Sequence, residues 1–126
     1  MIFGIGTDIV RVARMAKDLE RFGDRFAERI LTDSELAEFR ATERRAHFLA
    51  KRFAAKEAAA KAMGTGFSQG IHLRQVGVAH DTRGKPLLEF SGAAREFLEQ
   101  HGIRVTHVSL ADEEDHAVAF VTLETN

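Results

Sequence analysis

The chain has 126 residues, the length of one domain, and its 44% hydrophobic and 29% charged content matches ordinary globular proteins, which excludes disordered, collagenous and coiled-coil chains. It has no cysteine, so disulfides, thiolate metal sites and a cysteine nucleophile are excluded as well. A net charge of −1 argues against nucleic acid or a membrane surface as a partner.

The N-terminus MIFGIGTDIV lacks a basic segment and meets Asp8 too early for a signal peptide, and no later run approaches the ~20 apolar residues of a membrane span. A cytoplasmic protein, one domain over 1–126, is therefore expected. Met1 to Ile5 reads as a short strand, with Gly4 and Gly6 flanking Ile5 just before Thr7-Asp8. From Ile9 the pattern predicts a helix through Val10, Ala13, Met15 and Leu19, and Asp24 to Ile30 a second short one. Thr32 with Glu35 three residues on forms a capping box, opening a helix that carries Leu36 and Phe39 and frays near Ala41-Thr42. Arg44 to Met63 is alanine-rich, free of Gly and Pro, and stopped by Gly64, predicting a central helix about 30 Å long with Phe48, Leu49, Phe53 and Ala60 toward the core.

A glycine-rich loop, Gly64 to Gly70, follows. Val76–His80 and Leu87–Phe90 flank the turn Asp81–Pro86 as a hairpin. Ser91 to Gly102 reads as a helix capped by Ser91, and Arg104–Leu110 with Ala117–Leu123 as a second hairpin around the acidic turn Asp112–Asp115. The fold class is α+β: a small antiparallel sheet packed on the long central helix.

Four groups of residues could carry chemistry. Asp8, at a strand end beside glycines, could meet a metal or phosphate, or simply cap the next helix. Arg52, Lys56, Glu57 and Lys61 could be surface charge pairs worth ~0.2–0.5 kcal/mol each, or an anion site in which Glu57 holds a hard cation while Lys61 and Arg52 neutralise phosphate. The glycine loop favours the second reading, since its N–H groups can approach phosphates. Arg11, Arg14, Arg21 and Arg25 fall within an arc of about 80° if one helix carries them, either a solvated face or a docking surface for an acidic protein. They belong to a basic half: residues 1–63 hold 13 Lys/Arg against 10 Asp/Glu, and residues 64–126 hold 5 against 9. Finally, His107 to His116 holds six potential ligands, with His107 and Ser109 on one strand face and the acids in a turn, a solvated turn or a ligand contact.

Taken in order, Gly4-Ile-Gly6-Thr-Asp8-Ile9, Phe26-Ala-Glu-Arg-Ile-Leu31-Thr32, the segment from Phe48 through Arg52, Lys56-Glu57 and Lys61 to Gly64-Thr-Gly66, Gly84-Lys85-Pro86 and His107-Val-Ser109-Leu110 resemble the holo-acyl-carrier-protein synthases, small bacterial phosphopantetheinyl transferases of fatty-acid synthesis. The resemblance covers essentially the whole chain. It implies transfer of 4′-phosphopantetheine from coenzyme A to a serine of apo-acyl carrier protein, releasing adenosine 3′,5′-bisphosphate. By motif position it implies Asp8 and Glu57 as Mg²⁺ ligands, Glu57 and Lys61 as catalytic, and Arg52, Gly64, Gly66, Lys85, Pro86 and His107 as coenzyme A contacts. It gives the Arg11, Arg14, Arg21 and Arg25 stripe an acidic carrier protein to dock. It also implies a homotrimer with active sites between subunits, where some of the ten Phe would lie. Many members place a second His near His107, where this chain has Ala111-Asp112. Two rival readings differ in class: a non-catalytic module holding an acidic partner, and a metal-dependent phosphohydrolase that passes phosphate to water.

Overall fold

A computed structural model describes residues 1–126. Its elements are β1 (Ile2–Arg11), α1 (Val12–Phe22), α2 (Asp24–Ile30), α3 (Asp33–Ala41), α4 (Arg45–Met63), β2 (Val76–His80), β3 (Pro86–Phe90), α5 (Gly92–Gln100), β4 (Ile103–Asp112) and β5 (His116–Thr125), with a turn of 3-10 helix at Leu73–Gln75. The strands form two antiparallel sheets, β1-β5-β4 and β2-β3. Helix α4 packs on β1 and β5 of the first and reaches β2 of the second. Around it lies one continuous core of 27 buried residues. The α+β arrangement of sheet on long helix is as the sequence predicts.

The N-terminal segment differs. Strand β1 runs twice as far as expected, and Ile9, Val10 and Arg11 pair with Val118, Ala117 and His116 instead of starting a helix. The β-branched pair Ile9-Val10 suits a pleated strand, and β5 is long enough to pair with all of it. Helix α1 begins only at Val12, after an extended Arg11. At both ends of the α3–α4 stretch, where local chemistry decides, the expectations hold. The Thr32 hydroxyl accepts from the Glu35 N–H while the Glu35 carboxylate accepts from the Thr32 N–H, and Gly64 ends α4 in the left-handed conformation at φ 80°. Ser91 precedes α5 without a capping bond; the Gln75 side chain accepts from the Ala94 N–H in its place.

Helix α4 is unusual in being buried nearly all round by alanines: Ala50, Ala54, Ala55, Ala58, Ala59, Ala60 and Ala62. Gly4 and Gly6 face it so closely that a Cβ on either would stand 1.9 Å from the carbonyl oxygen of Ala62 or Ala58. Strand and helix therefore touch backbone to backbone. The opposite face of the β1-β5-β4 sheet is uncovered, with Ile5, Ile9, Val118, Phe120 and Val105 exposed among polar residues such as Thr7 and His107.

Candidate active site

Strand alternation directs Gly4, Gly6, Asp8 and Val10 of β1 toward α4 and leaves Ile5, Thr7 and Ile9 on the outer face. Asp8 thus lies within the strand and caps no helix. The Lys61 ammonium, on α4, donates to Asp8 Oδ1 and to the Thr7 carbonyl, each at 3.0 Å. Glu57 is one turn earlier on the same side. Burial first, and then the charge of Asp8, push its carboxyl above the ordinary glutamate range, with Lys61 and Arg14 pulling back incompletely. Two carboxylates close enough to repel suit a small hard cation, and Lys61, bonded to one of them, adds positive charge for a phosphate-bearing ligand. No group of three or more His, Cys, Asp or Glu within one protomer is arranged to hold a metal ion. Any metal here would therefore take at most two protein carboxylates.

Arg52, Lys56, Glu57 and Lys61 of α4 do not share one face. Glu57 and Lys61 look toward β1, whereas Arg52 and Lys56 are buried toward α3 and β2. Arg52 is only 4% exposed and donates to Glu35, Glu38 and the Val78 carbonyl. Inside one protomer it is not joined to the Asp8–Glu57–Lys61 group, so Arg52 and Lys61 do not come together at one anion site within a single copy. Lys56 donates to Glu35 and to the Leu73 and Val76 carbonyls. Sequence reasoning missed Glu35 as more than a cap, although a capping-box glutamate has a second oxygen free for another partner.

His107 lies on the outer face: it pairs in register with Thr122, which pairs with Ile5, and its Nε2 is 2.8 Å from Glu124 Oε2. Asp8 and His107 therefore project from opposite sides of the same sheet. Lys85 and Pro86 sit at the β2–β3 turn, which is organised by Asp81 accepting from the Lys85 and Arg83 N–H groups. The N–H groups of Gly64 and Gly66 both bond back to the end of α4, at Ala60 and Lys61, so these two amides close a helix and do not form a phosphate cradle. Asp112 ends β4 beside Lys51, 3.7 Å away, and forms no part of the Asp8–Glu57 group.

The arginine stripe is also divided. Arg11 belongs to β1, Arg14 and Arg21 to α1, and Arg25 to α2, because the chain turns at Gly23 with φ 67°. Two basic hollows result. One of about 580 Å³ includes Arg11, Arg14 and Lys17 beside Ile9. The other, of about 400 Å³, is lined by Arg21, Arg25 and Arg29 with Phe22 and Phe26. Lys17, Arg29 and the two Phe were not singled out; Arg25 and Arg29 are an i, i+4 pair within α2, and Phe22 stacks on Phe26 across the Gly23 turn.

The sequence and the fold as a whole are similar to those of known proteins. The chain is 57% identical over 125 residues to a holo-acyl-carrier-protein synthase of Halorhodospira halophila, covering 99% of both. The crystal structure of the holo-acyl-carrier-protein synthase of Neisseria meningitidis superposes with a TM-score of 0.94 at 47% identity, covering 99% of this chain and 100% of that one. A synthase of the same name from Bacillus anthracis, solved in complex with CoA (3′,5′-ADP), gives 0.84 at 38% identity, covering 100% and 99%. The profile of the 4′-phosphopantetheinyl transferase superfamily matches residues 4–121, and the chain belongs to that superfamily.

Proposed function

We propose that the chain transfers the 4′-phosphopantetheine group of coenzyme A to a serine hydroxyl of apo-acyl carrier protein in the cytoplasm, as one domain over 1–126, with Mg²⁺ held by Asp8 and Glu57. The observation that carries this reading is the Asp8–Glu57–Lys61 group in a chain of this superfamily. Two carboxylates without a third protein ligand fit Mg²⁺, which commonly takes one or two carboxylates and completes its shell with phosphates and water. When bound, Mg²⁺ supplies positive charge to the diphosphate oxygens.

The chain's own residues do the rest. Lys61, held at Asp8 on a half-exposed side chain, reaches the diphosphate and stabilises charge developing on the leaving oxygen. The serine oxygen bonds to the β-phosphorus as the bridging P–O bond breaks, and adenosine 3′,5′-bisphosphate departs. Glu57, on the same side of α4 as Lys61 and next to Asp8, is the carboxylate placed to accept the serine proton.

The working unit is a homotrimer. Its support is the uncovered sheet face and the placement of Asp8 and His107 on opposite sides of that sheet. Packing the outer faces together buries Ile5, Ile9 and Phe120. It also lets His107, Lys85 and Pro86 of one copy serve the Asp8–Glu57–Lys61 group of the next, with Gly64 and Gly66 at the adjoining end of α4. The two arginine-lined hollows receive the acidic surface of the carrier protein.

The test is mass spectrometry of apo-acyl carrier protein incubated with the enzyme, coenzyme A and Mg²⁺. Addition of the phosphopantetheine mass supports the reading; an unchanged carrier overturns it. Breakdown of coenzyme A without any carrier present would indicate a phosphohydrolase instead.

A further inference from the structure

Glu35 and Lys56 are fully enclosed and Arg52 nearly so, yet none of the three is needed for the chemistry above. We propose that this buried cluster fixes the rotation of α4 about its axis and so aims Glu57 and Lys61 at Asp8. The proposal rests on the reading of Asp8 and Glu57 as the metal-holding pair.

The central part of α4 offers packing little to grip. Turning the helix by one residue exchanges Ala54 for Ala55, or Ala58 for Ala59, in the same contacts. Against it, Gly4 and Gly6 present bare backbone that any alanine face fits. Hydrophobic burial alone therefore separates neighbouring rotations weakly.

The polar contacts are different in kind, because every one leaves α4. Lys56 uses all three of its donors, on Glu35 Oε1 at 2.7 Å, the Leu73 carbonyl at 3.2 Å and the Val76 carbonyl. Arg52 reaches Glu35 Oε2 at 3.3 Å and the Val78 carbonyl at 3.1 Å. Glu35 is held in turn by the Thr32 and Val78 N–H groups, each at 2.9 Å. A rotation that broke this set would leave buried charges unpaired, the most heavily penalised state a core can hold.

The direction of the active face follows from helix geometry. At about 100° per residue, Glu57 and Lys61 lie about 100° and 140° around the axis from Lys56, within about 40° of each other. Pointing Lys56 at β2 thus turns both toward β1. The tolerance is small: at a side-chain radius of about 5–6 Å, a 20° turn moves the Glu57 carboxylate by about 2 Å, as long as a Mg²⁺–oxygen bond.

The experiment compares coenzyme A affinity with and without Mg²⁺ by titration calorimetry on the full chain. In Glu35→Met/Lys56→Met the ion pair is replaced by apolar groups of similar length, while Arg52 keeps Glu38 and the Val78 carbonyl, so no buried charge is left without a partner. The expected result is a melting temperature near wild type with the Mg²⁺ enhancement of affinity reduced at least tenfold. Leu98→Ala, on α5 and away from the cluster, should melt lower yet keep the enhancement within twofold. An undiminished enhancement in the Met pair, or an equal loss in Leu98→Ala, overturns the proposal. If the pair does not fold, Lys56→Met alone, in which Glu35 keeps Arg52, Thr32 and Val78, carries the same two outcomes. Absence of any Mg²⁺ enhancement in the wild type would instead count against the metal-holding role of Asp8 and Glu57.

Discussion

Replacing Gly6 with alanine adds a single methyl group, and its consequence can be worked out from contacts. The new Cβ would stand 1.9 Å from the Ala58 carbonyl oxygen and 2.7 Å from the Ala62 nitrogen. Both are backbone atoms, so no rotamer change relieves the overlap, and β1 must part from α4 by about 1 Å. Overpacking costs ~1–3 kcal/mol, and contact with backbone places this case at the upper end. For a domain of this length ~3 kcal/mol lowers the melting temperature by roughly 12 °C. Opening by that amount would also lengthen the Lys61–Asp8 contact from 3.0 Å to about 4 Å, the outer limit of an ion pair. The assay pairs a calorimetric melt with a Mg²⁺ titration of coenzyme A affinity. Gly102→Ala is the control, since there φ is 66° but no atom lies within 4 Å of the added carbon, which leaves only the left-handed strain of ~1–2 kcal/mol. A Gly6→Ala protein that melts within about 2 °C of wild type would refute the backbone-contact argument.

Other outcomes follow from the same geometry. Glu57→Gln should reduce transfer by at least ~10²-fold, as loss of a transition-state contact does. The same change should raise the melting temperature at neutral pH, because a carboxyl whose folded value is raised loses stability as pH climbs from its ordinary 4.5 through that higher value. Glu35 has the opposite sign: burial pushes its carboxyl up, but Lys56 and the Thr32 and Val78 N–H groups hold it below 4.5. Its contribution is complete above 4.5 and is lost as pH falls through the lowered value, so Glu35→Gln should flatten the acid limb of urea-unfolding stability; an unchanged limb contradicts the ionised cluster. Phe120→Asp, on the open sheet face, should sediment as a folded monomer without transfer activity, and an intact assembly would remove that face from the interface. Arg21→Ala/Arg25→Ala should raise the KM for carrier protein about tenfold at low salt, with the difference shrinking as salt rises and coenzyme A affinity unchanged; an unaltered KM would place docking elsewhere.

How much of this was legible beforehand depended on whether a residue's neighbours were near in sequence. Thr32 and Glu35 satisfy each other across one turn, and Gly64 is needed where an alanine helix stops, so those boundaries could be read directly. The end of β1 could not. Ile9 and Val10 adopt a strand because β5, more than 100 residues later, pairs with them. The Asp8–Glu57–Lys61 group was recoverable because each residue sits in a motif, while the division of α4 into two charged sides was not. Spacing puts Arg52 with Lys56 and Glu57 with Lys61, but only the placement of α3 and β2 determines that the first pair is buried. The four arginines do not share one helical arc, because Arg11 is drawn into β1 by its pairing with His116 and Gly23 ends α1 before Arg25.

Strand β1 also has a property that follows from its thinness. Its inner side is glycine backbone against α4, with Asp8 as the functional group, and its outer side carries Ile5 and Ile9 on the open face. Nothing but one layer of polypeptide separates the chemistry from the surface where copies are proposed to meet. A push on one side of such a partition is felt on the other, without side chains in between to absorb it. Substitutions at Ile5 or Ile9 should therefore never register as assembly defects alone, and a ligand wedged against that face would reach the carboxylates through the wall.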